Sequence, residues 1–234
     1  MTVSSSSITL SPPGNHLSSF FGYSNGYVPT TSLATRGGYW VKSDSAGYMV
    51  MAGSVNTPKQ GTNERDRYNY MTITDGDGNS QSLYFVQDPD GKIRLSDYEM
   101  PPMFPTEEFS LKYHSGRILE TYPAGITEMK TFPIDVNISH EPVKISWTIN
   151  TKEGKQYLLS DGAKGKLFKT IELKGTSGTV TGIKADIHSI LLQINSGADV
   201  PHEFSLSQNY PNPFNPTTRL VVGLPQSAHL EVSV

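Results

Sequence analysis

Apolar and polar residues alternate in short runs along the chain. Every second position is apolar between Phe132 and Ile138, and again between Val143 and Ile149. Successive side chains of a strand point to opposite faces, so this spacing predicts two strands that each bury one face. The short turn at 140–142 predicts that they are antiparallel neighbours.

Further apolar runs are separated by turns rich in Gly and Pro, a pattern typical of strands. They predict strands at 38–43, 48–52, 70–74, 82–87, 109–113, 166–173 and 187–194. No window keeps a sustained helical period, although 184–194 is compatible with a helix. Strands that are not interleaved with helices favour an all-β fold, here an antiparallel β-sandwich.

The composition turns small and polar at 195–202, directly after a strongly apolar run. Such a change is typical of a linker between folded units. The predicted organisation is a small β module at 1–55, an antiparallel β-sandwich at 56–195, a linker at 196–203 and a separate segment at 204–234.

The segment after the linker reads Phe-Ser-Leu-Ser-Gln-Asn-Tyr-Pro-Asn-Pro-Phe-Asn-Pro-Thr-Thr. It closely resembles the opening of the C-terminal sorting domain of type IX secretion, found in Bacteroidota and their relatives. The matching residues are Phe204, Leu206, Gln208, Asn209, Tyr210, Pro211, Asn212, Pro213, Phe214, Asn215, Pro216, Thr217 and Thr218. The resemblance implies a cargo protein that is exported through the periplasm, is secreted or attached at the outer surface, and has the type IX machinery as its partner.

The sorting domain of this family continues for several more strands, whereas this sequence stops at Val234. The resemblance therefore implies an incomplete β-sandwich sorting domain, with 220–222 facing 230–234 and with Tyr210 and Phe214 anchored on a sheet. Three prolines in the run hold its backbone extended. An isolated two-stranded unit is marginal in water, so 218–234 is expected to pair with other elements or to be mobile.

A weaker similarity covers the body of the chain. Segments such as 21–28, 37–42 and 79–85 are similar to β-rich regions that often precede such sorting domains in large secreted proteins of these bacteria. The first module of those regions usually opens with a Trp-containing strand, and 11–18 lacks the Trp. The similarity implies that the module at 1–55 is incomplete.

Charge and cysteine content exclude several functions. The chain has 19 Lys and Arg against 22 Asp and Glu, a net charge of -3, and no basic run that could neutralise a row of phosphates. Nucleic acid is therefore not an expected partner. The absence of cysteine excludes disulfides, cysteine-ligated metals and thiol nucleophiles. No apolar run approaches the length of a membrane span, so no transmembrane segment is predicted.

Catalytic motifs are also missing from the sequence. There is no Gly-x-Ser-x-Gly elbow, P-loop or dinucleotide fingerprint, and the six histidines are dispersed. The sequence predicts no catalytic residue and, apart from calcium, no cofactor. Triads assembled from distant residues leave no local motif, so an enzyme stays open as an alternative.

Asp75, Asp77 and Asn79 have the spacing of the first three ligands of a calcium loop. The sixth position is Ser80 instead of Gly and the twelfth is Val86 instead of Glu, which excludes an EF-hand. A looser calcium site in a β-loop and a plain hairpin turn are the two remaining interpretations.

Two further alternatives concern sugars. Tyr39 and Trp40 could offer flat faces for sugar stacking, as in a carbohydrate-binding module for a polysaccharide or cell-surface glycan, or they could pack in the core. A glycoside hydrolase fragment would need two converging carboxylates, for which the candidates are Asp97, Glu99, Glu107, Glu108 and Glu120. The main hypothesis is a non-catalytic accessory region of a secreted protein that carries the start of a sorting signal.

Overall fold

The structure is a computed structural model that describes residues 2–51, 64–102, 109–126, 128–151, 154–162, 167–196, 204–213, 216–223 and 231. These residues form strands and three 3-10 helices, at Ser5–Ser7, Glu64–Arg67 and Leu95–Tyr98, and no α-helix. The predicted all-β class is confirmed. No helix in these ranges has both the length and the apolar character needed to cross a membrane.

The strands in chain order are β1 (Thr2–Ser4), β2 (Ile8–Ser11), β3 (Phe20–Tyr23), β4 (Tyr27–Thr30), β5 (Ser32–Ala34), β6 (Tyr48–Met51), β7 (Asn69–Thr74), β8 (Ser80–Gln87), β9 (Phe109–Tyr113), β10 (Leu119–Tyr122), β11 (Lys130–Ile138), β12 (Val143–Thr148), β13 (Gln156–Asp161), β14 (Ile171–Glu172), β15 (Ser177–Ile183), β16 (Ser189–Asn195), β17 (Ser205–Leu206) and β18 (Val222–Gly223).

Ten of these strands form two five-stranded sheets. Sheet I has the order β10-β8-β7-β12-β15, and sheet II has the order β14-β13-β16-β11-β9. All pairs are antiparallel except β8 and β10, which run parallel with Leu119 opposite Tyr84. The prediction of a purely antiparallel arrangement is therefore wrong at this one pair, since a long connection separates β8 from β10 and lets the chain return in the same direction.

One hydrophobic core serves both large sheets. Met71 and Leu83 of sheet I and Ile134, Leu159 and Leu192 of sheet II are all buried in the same cluster. These residues alternate with more exposed neighbours along their strands, as the period of two requires. Burial of each such side chain stabilises the fold by about 1.5–3 kcal/mol relative to an exposed position.

The predicted pairing of the two most regular strands is wrong. β11 pairs with β16 and β9 in sheet II, whereas β12 pairs with β7 and β15 in sheet I. The connection at 139–142 therefore crosses between the sheets, and the His140 carbonyl accepts a hydrogen bond from Gly76 N at 3.0 Å. Alternation identifies the buried face of a strand but not the strand beside it, and two strands that face one core from opposite sides show the same pattern.

Three other predictions change in detail. The strand predicted at 38–43 is reduced to isolated bridges from Trp40 to Phe21 and from Ser43 to Leu17. The strand predicted at 166–173 is only the short β14, and residue 166 lies outside the described ranges. The segment 184–194, which is compatible with a helix, contains no helix, and its residues 189–194 belong to β16.

The chain divides into two compact units, Met1–Ser196 and Gly197–Val234. In the first unit, three two-stranded sheets, β1-β5, β2-β6 and β3-β4, precede the large sheets. Phe21 of β3 is part of the main core cluster. The predicted division between 55 and 56 falls outside the described residues, as does the predicted linker beyond Ser196.

Candidate functional site

The run that resembles a sorting signal lies in a hairpin of the second unit. β17 and β18 pair antiparallel, with Ser205 opposite Gly223 and Leu206 opposite Val222. Tyr210 and Arg219 form a further bridge, in which Tyr210 N donates to Arg219 O at 3.0 Å and Arg219 N donates to Tyr210 O at 2.9 Å. The strand partner seen for Val222 is therefore Leu206, and the partners predicted at 230, 232 and 234 lie outside the described residues.

Two side-chain bonds stabilise the hairpin, one on each side of the Tyr210–Arg219 bridge. Thr218 Oγ1 donates to Pro211 O at 3.0 Å, and Val221 N donates to Ser207 Oγ at 2.8 Å. Both bonds join the two arms across the Pro-rich turn. They connect the two described arms of the run, 204–213 and 216–223, which contain little regular strand.

The side chains of the run point to solvent. Phe204 is 60% exposed, Leu206 is 70% exposed and Tyr210 is 81% exposed. Asn209 is half-buried, and the remaining described positions of the run are exposed, namely Gln208, Pro211, Asn212, Pro213 and Pro216. Within the described residues of the second unit Tyr210 packs on no sheet, so its expected anchoring is not seen there, and Phe214 and Asn215 lie outside the described residues.

The candidate calcium residues do come together, in the turn between β7 and β8. Asp75 is 5% exposed, and its Oδ1 accepts hydrogen bonds from Asp77 N at 3.0 Å and Asn79 N at 2.8 Å. Its Oδ2 accepts from Asn79 Nδ2 at 2.9 Å. The Asp75 carboxylate thus stabilises the turn through the chain's own donors, as Asp commonly does in turns.

Asp77 Oδ2 lies 3.2 Å from His140 Nδ1, on the exposed side of the same turn. Within the described ranges no three His, Asp or Glu side chains are grouped so that they could hold a metal ion. The calcium interpretation therefore stays a hypothesis, and the hydrogen bonds of the turn favour the plain hairpin.

Tyr39 and Trp40 are both half-buried and are committed to packing. Trp40 packs edge-on against Phe21, with ring centroids 6.1 Å apart and planes at 62°. The backbones of these two residues exchange two hydrogen bonds of 2.8 Å. Tyr39 Oη accepts a hydrogen bond from Ala34 N at 2.7 Å. This geometry favours the packing interpretation over sugar stacking.

The candidate glycosidase carboxylates that are described each have their own partner. Asp97 Oδ1 lies 2.5 Å from His16 Nε2, and Glu99 forms an ion pair with Lys42. Glu120 is 8% exposed and accepts two bonds from Arg117 Nη2, at 3.0 and 3.1 Å, and one from the Ser115 hydroxyl. Glu107 and Glu108 lie outside the described residues.

Sequence reasoning missed a cleft in the first unit. Two cavities, of about 290 and 500 Å³, share His16 in their walls. We call them together the His16 cleft, whose polar walls include Ser5, Asn15, Ser19, Thr31 and Arg65 in the smaller cavity and Arg67, Lys92, Arg94 and Asp97 in the larger. In the sequence the basic residues form two pairs, Arg65 with Arg67 and Lys92 with Arg94, and the members of each pair are two positions apart. This spacing was the only sequence signal that pointed to the cleft.

Arg65 is 7% exposed, and its Nη2 donates to Pro29 O at 3.5 Å. Burial lowers the pKa of the Arg65 guanidinium from its ordinary value, because loss of hydration disfavours the charged form, while the Tyr84 hydroxyl acts in the opposite direction. A buried guanidinium nevertheless stays protonated at neutral pH. It places a fixed positive charge at the wall of the smaller cavity.

Comparisons with known proteins identified no relative of this chain. No family model matches the sequence, and neither the curated proteins nor the solved structures contain a significant match.

Proposed function

We propose that this chain is a non-catalytic, β-sandwich accessory region of a secreted or surface-attached bacterial protein, and that the type IX secretion machinery reads its C-terminal segment as an address. The observation that carries the proposal is the presentation of the run from Phe204 to Pro213. Three large apolar side chains of this run are more than half exposed on a hairpin held by defined hydrogen bonds.

Exposed apolar side chains on an ordered segment support a role in recognition. Phe204, Leu206 and Tyr210 are each exposed by 60% or more, and exposed apolar groups close together commonly mark binding surfaces. Aromatic residues such as Tyr210 are enriched where protein interfaces gain most of their binding energy. The hairpin therefore offers a partner an apolar surface whose backbone is already in place.

The pattern of prolines supports the same interpretation. Pro211, Pro213 and Pro216 have no amide hydrogen to donate and a fixed φ, so they cannot continue the β17–β18 ladder. Pro-rich segments have few conformations to lose on binding, because each proline fixes its own φ, and they are used repeatedly as recognition motifs. The prolines thus give a receptor a feature by which to distinguish this run from the edge strands of the large sheets.

The body of the chain suits a scaffold. Two five-stranded sheets share one apolar core, as the two layers of a β-sandwich do. The described acidic residues that could have served hydrolysis are engaged by His16, Lys42 and Arg117. These pairings support a structural role for those carboxylates.

The proposal is tested by export of a reporter from a bacterium with type IX secretion. A fluorescent protein with a periplasmic leader is fused to 196–234, followed by the remaining strands of a sorting domain of the same family. The intact fusion should reach the medium or the cell surface, and the fusion with 211–216 scrambled should stay in the periplasm. Equal release of both fusions would refute the proposal, and a reporter without the segment measures leakage.

A further inference from the structure

The His16 cleft has a charge opposite to that of the chain as a whole. Its walls contain Arg65, Arg67, Lys92 and Arg94, and Asp97 is the one carboxylate among the described residues that line it. The chain as a whole carries a net charge of -3, whereas the residues that line the cleft are mostly basic among those that carry charge. A concave site lined by one sign of charge focuses the field and attracts ions of the other sign.

The acidic groups on or beside the cleft are Asp44, Asp66, Asp90 and Asp97. Asp97 Oδ1 lies 2.5 Å from His16 Nε2, Asp44 Oδ1 accepts a hydrogen bond from His16 N at 2.8 Å, and Lys92 Nζ lies 2.6 Å from the exposed Asp90. Arg67 and Arg94 are exposed and form no ion pair within the described part of the chain. Both guanidinium groups therefore remain able to bind an anion, and Arg binds carboxylates and sulfates through two parallel hydrogen bonds.

The smaller cavity is lined by hydroxyl groups. Ser5, Ser19 and Thr31 contribute side-chain hydroxyls that make no hydrogen bond to the described residues around them. Asn15 adds an amide, whose Nδ2 donates to Ala46 O at 3.1 Å and whose oxygen can still accept. Hydroxyls both donate and accept, so this wall suits a ligand that itself carries many hydroxyls.

A hydroxyl-rich wall and a basic wall in two cavities that share His16 indicate the class of ligand. A simple inorganic anion would use the Arg groups alone and would leave the hydroxyl wall unused. A sugar that carries carboxylate or sulfate groups uses both, and two cavities that share His16 have room for more than one sugar unit. We infer that the His16 cleft binds an acidic polysaccharide, with Arg67 and Arg94 binding its anionic groups and the smaller cavity binding its hydroxyls.

This inference goes beyond the proposed secretion address and does not depend on it. It also differs from the aromatic platform considered for Tyr39 and Trp40, of which Trp40 packs against the core cluster and Tyr39 accepts a hydrogen bond from Ala34 N. Nucleic acid fits less well, because the backbone of DNA carries no free hydroxyls that could pair with the hydroxyl groups of the smaller cavity.

The test is affinity electrophoresis of the full 234-residue chain in native gels that contain polysaccharide. Two pairs of probes differ only in charge, namely polygalacturonate against its methyl ester, and dextran sulfate against dextran. The first pair detects carboxylate recognition and the second detects sulfate recognition. Single-stranded DNA serves as a third polyanion.

The variant pair is Arg67→Gln with Arg94→Gln, and the control is Lys144→Gln with Lys169→Gln. All four residues are exposed, so the charge lost is the same, but the two lysines lie outside the walls of the cleft. Because both arginines are on the surface, thermal unfolding should show that each variant remains folded.

The expected result is retardation by at least one charged polysaccharide and not by its uncharged counterpart, weakened about tenfold or more in the arginine variant and unchanged in the lysine control. Three results would overturn the inference: no retardation by either charged probe, equal weakening in the control, or binding to DNA as tight as to the best polysaccharide.

Discussion

The hydroxyl oxygens of Tyr122 and Tyr157 lie 2.9 Å apart in the buried core and join sheet I to sheet II. Tyr122 belongs to β10 and Tyr157 to β13, and both side chains are almost fully buried. Tyr157 Oη also accepts from Asn69 Nδ2 at 3.3 Å. A polar link of this kind sets how the two sheets face each other, since its partners must meet in one geometry.

Tyr122→Phe should lower the free energy of unfolding by about 1 kcal/mol, because it removes one buried hydrogen bond while keeping the ring. Urea unfolding measures the change. Tyr48→Phe is the control, since Tyr48 is 78% exposed and the same loss there should have no effect. If both variants unfold at the wild-type urea concentration, the bond does not contribute to stability.

Asn69 holds the backbone that directly follows β12, and its substitution should destabilise the fold. Its Oδ1 accepts from Asn150 N at 2.9 Å and from Thr151 N at 3.0 Å, and the side chain is fully buried. Asn69→Ala would leave these donors without an acceptor, at a cost of about 1–3 kcal/mol for a buried unsatisfied group.

Asn69→Asp keeps the acceptor oxygens but loses the donated bond to Tyr157, and at low pH the protonated carboxyl can donate again. The stability of the Asp variant should therefore lie between wild type and Ala, and should approach wild type as the pH falls toward 4. Identical denaturation curves for the Ala variant and wild type would contradict the assigned role.

Gly178 faces Trp147 across the β12–β15 pair and should not tolerate a side chain. A Cβ at Gly178 would lie far inside the contact distance of the Trp147 ring, which is 8% exposed and whose Nε1 donates to Lys174 O at 3.2 Å. Gly178→Ala should destabilise the fold by about 1–3 kcal/mol, the usual cost of overpacking.

Gly38→Ala is the matched control for that variant. A Cβ at Gly38 would meet no atom within 4 Å. Thermal unfolding of the two variants should show a loss at Gly178 only. An unchanged midpoint for Gly178→Ala would mean that the Trp147 ring does not lie over this glycine.

Tyr113 should make the fold weaker at alkaline pH. Burial raises the pKa of the Tyr113 hydroxyl well above its ordinary value of 10.0, and the Glu120 carboxylate raises it further. Above pH 10 the unfolded chain loses this proton while the folded chain retains it, so the free energy of unfolding falls as the pH rises, by up to about 1.4 kcal/mol per pH unit. Tyr84, whose pKa is also raised by burial, adds to the same fall.

Tyr113→Phe should reduce that alkaline slope. The buried Tyr113 hydroxyl has no hydrogen-bond partner among the described residues, so at pH 7 the variant should be as stable as wild type or more stable by about 1 kcal/mol. Urea unfolding between pH 8 and about 11 measures both effects. A strong loss of stability at pH 7 would show that the hydroxyl is bonded, and an unchanged slope would show that burial does not raise its pKa.

The sequence was sufficient to predict the strands whose two faces differ. β9 begins and ends as predicted, and β7, β8 and β16 lie within two residues of their predicted bounds, because buried and exposed side chains alternate along them. β15 was not predicted, since its residues are small, polar and mostly exposed. It forms because its backbone completes the edge of sheet I beside β12.

Strand pairing and the cleft could not be predicted in the same way. The period of two in β11 and β12 states which side chains are buried but not which sheet each strand joins. The cleft combines Arg65 and Arg67 with Lys92, Arg94 and His16, which are brought together only by the fold. The exposed run at 204–213 could be recognised from the sequence, because all of its residues are contiguous.

The central claim is that the exposed run is an address, and a pair of single substitutions tests it most directly. Tyr210 and Tyr48 are 81% and 78% exposed, so Tyr210→Ala and Tyr48→Ala remove the same side chain from equally exposed sites. The measurement is the fraction of the protein, fused to a completed sorting domain and produced in a type IX-secreting bacterium, that leaves the periplasm. A fall of about tenfold for Tyr210→Ala with normal export of Tyr48→Ala is the predicted result, in keeping with the weight of aromatic residues in recognition; equal export of the two would contradict it.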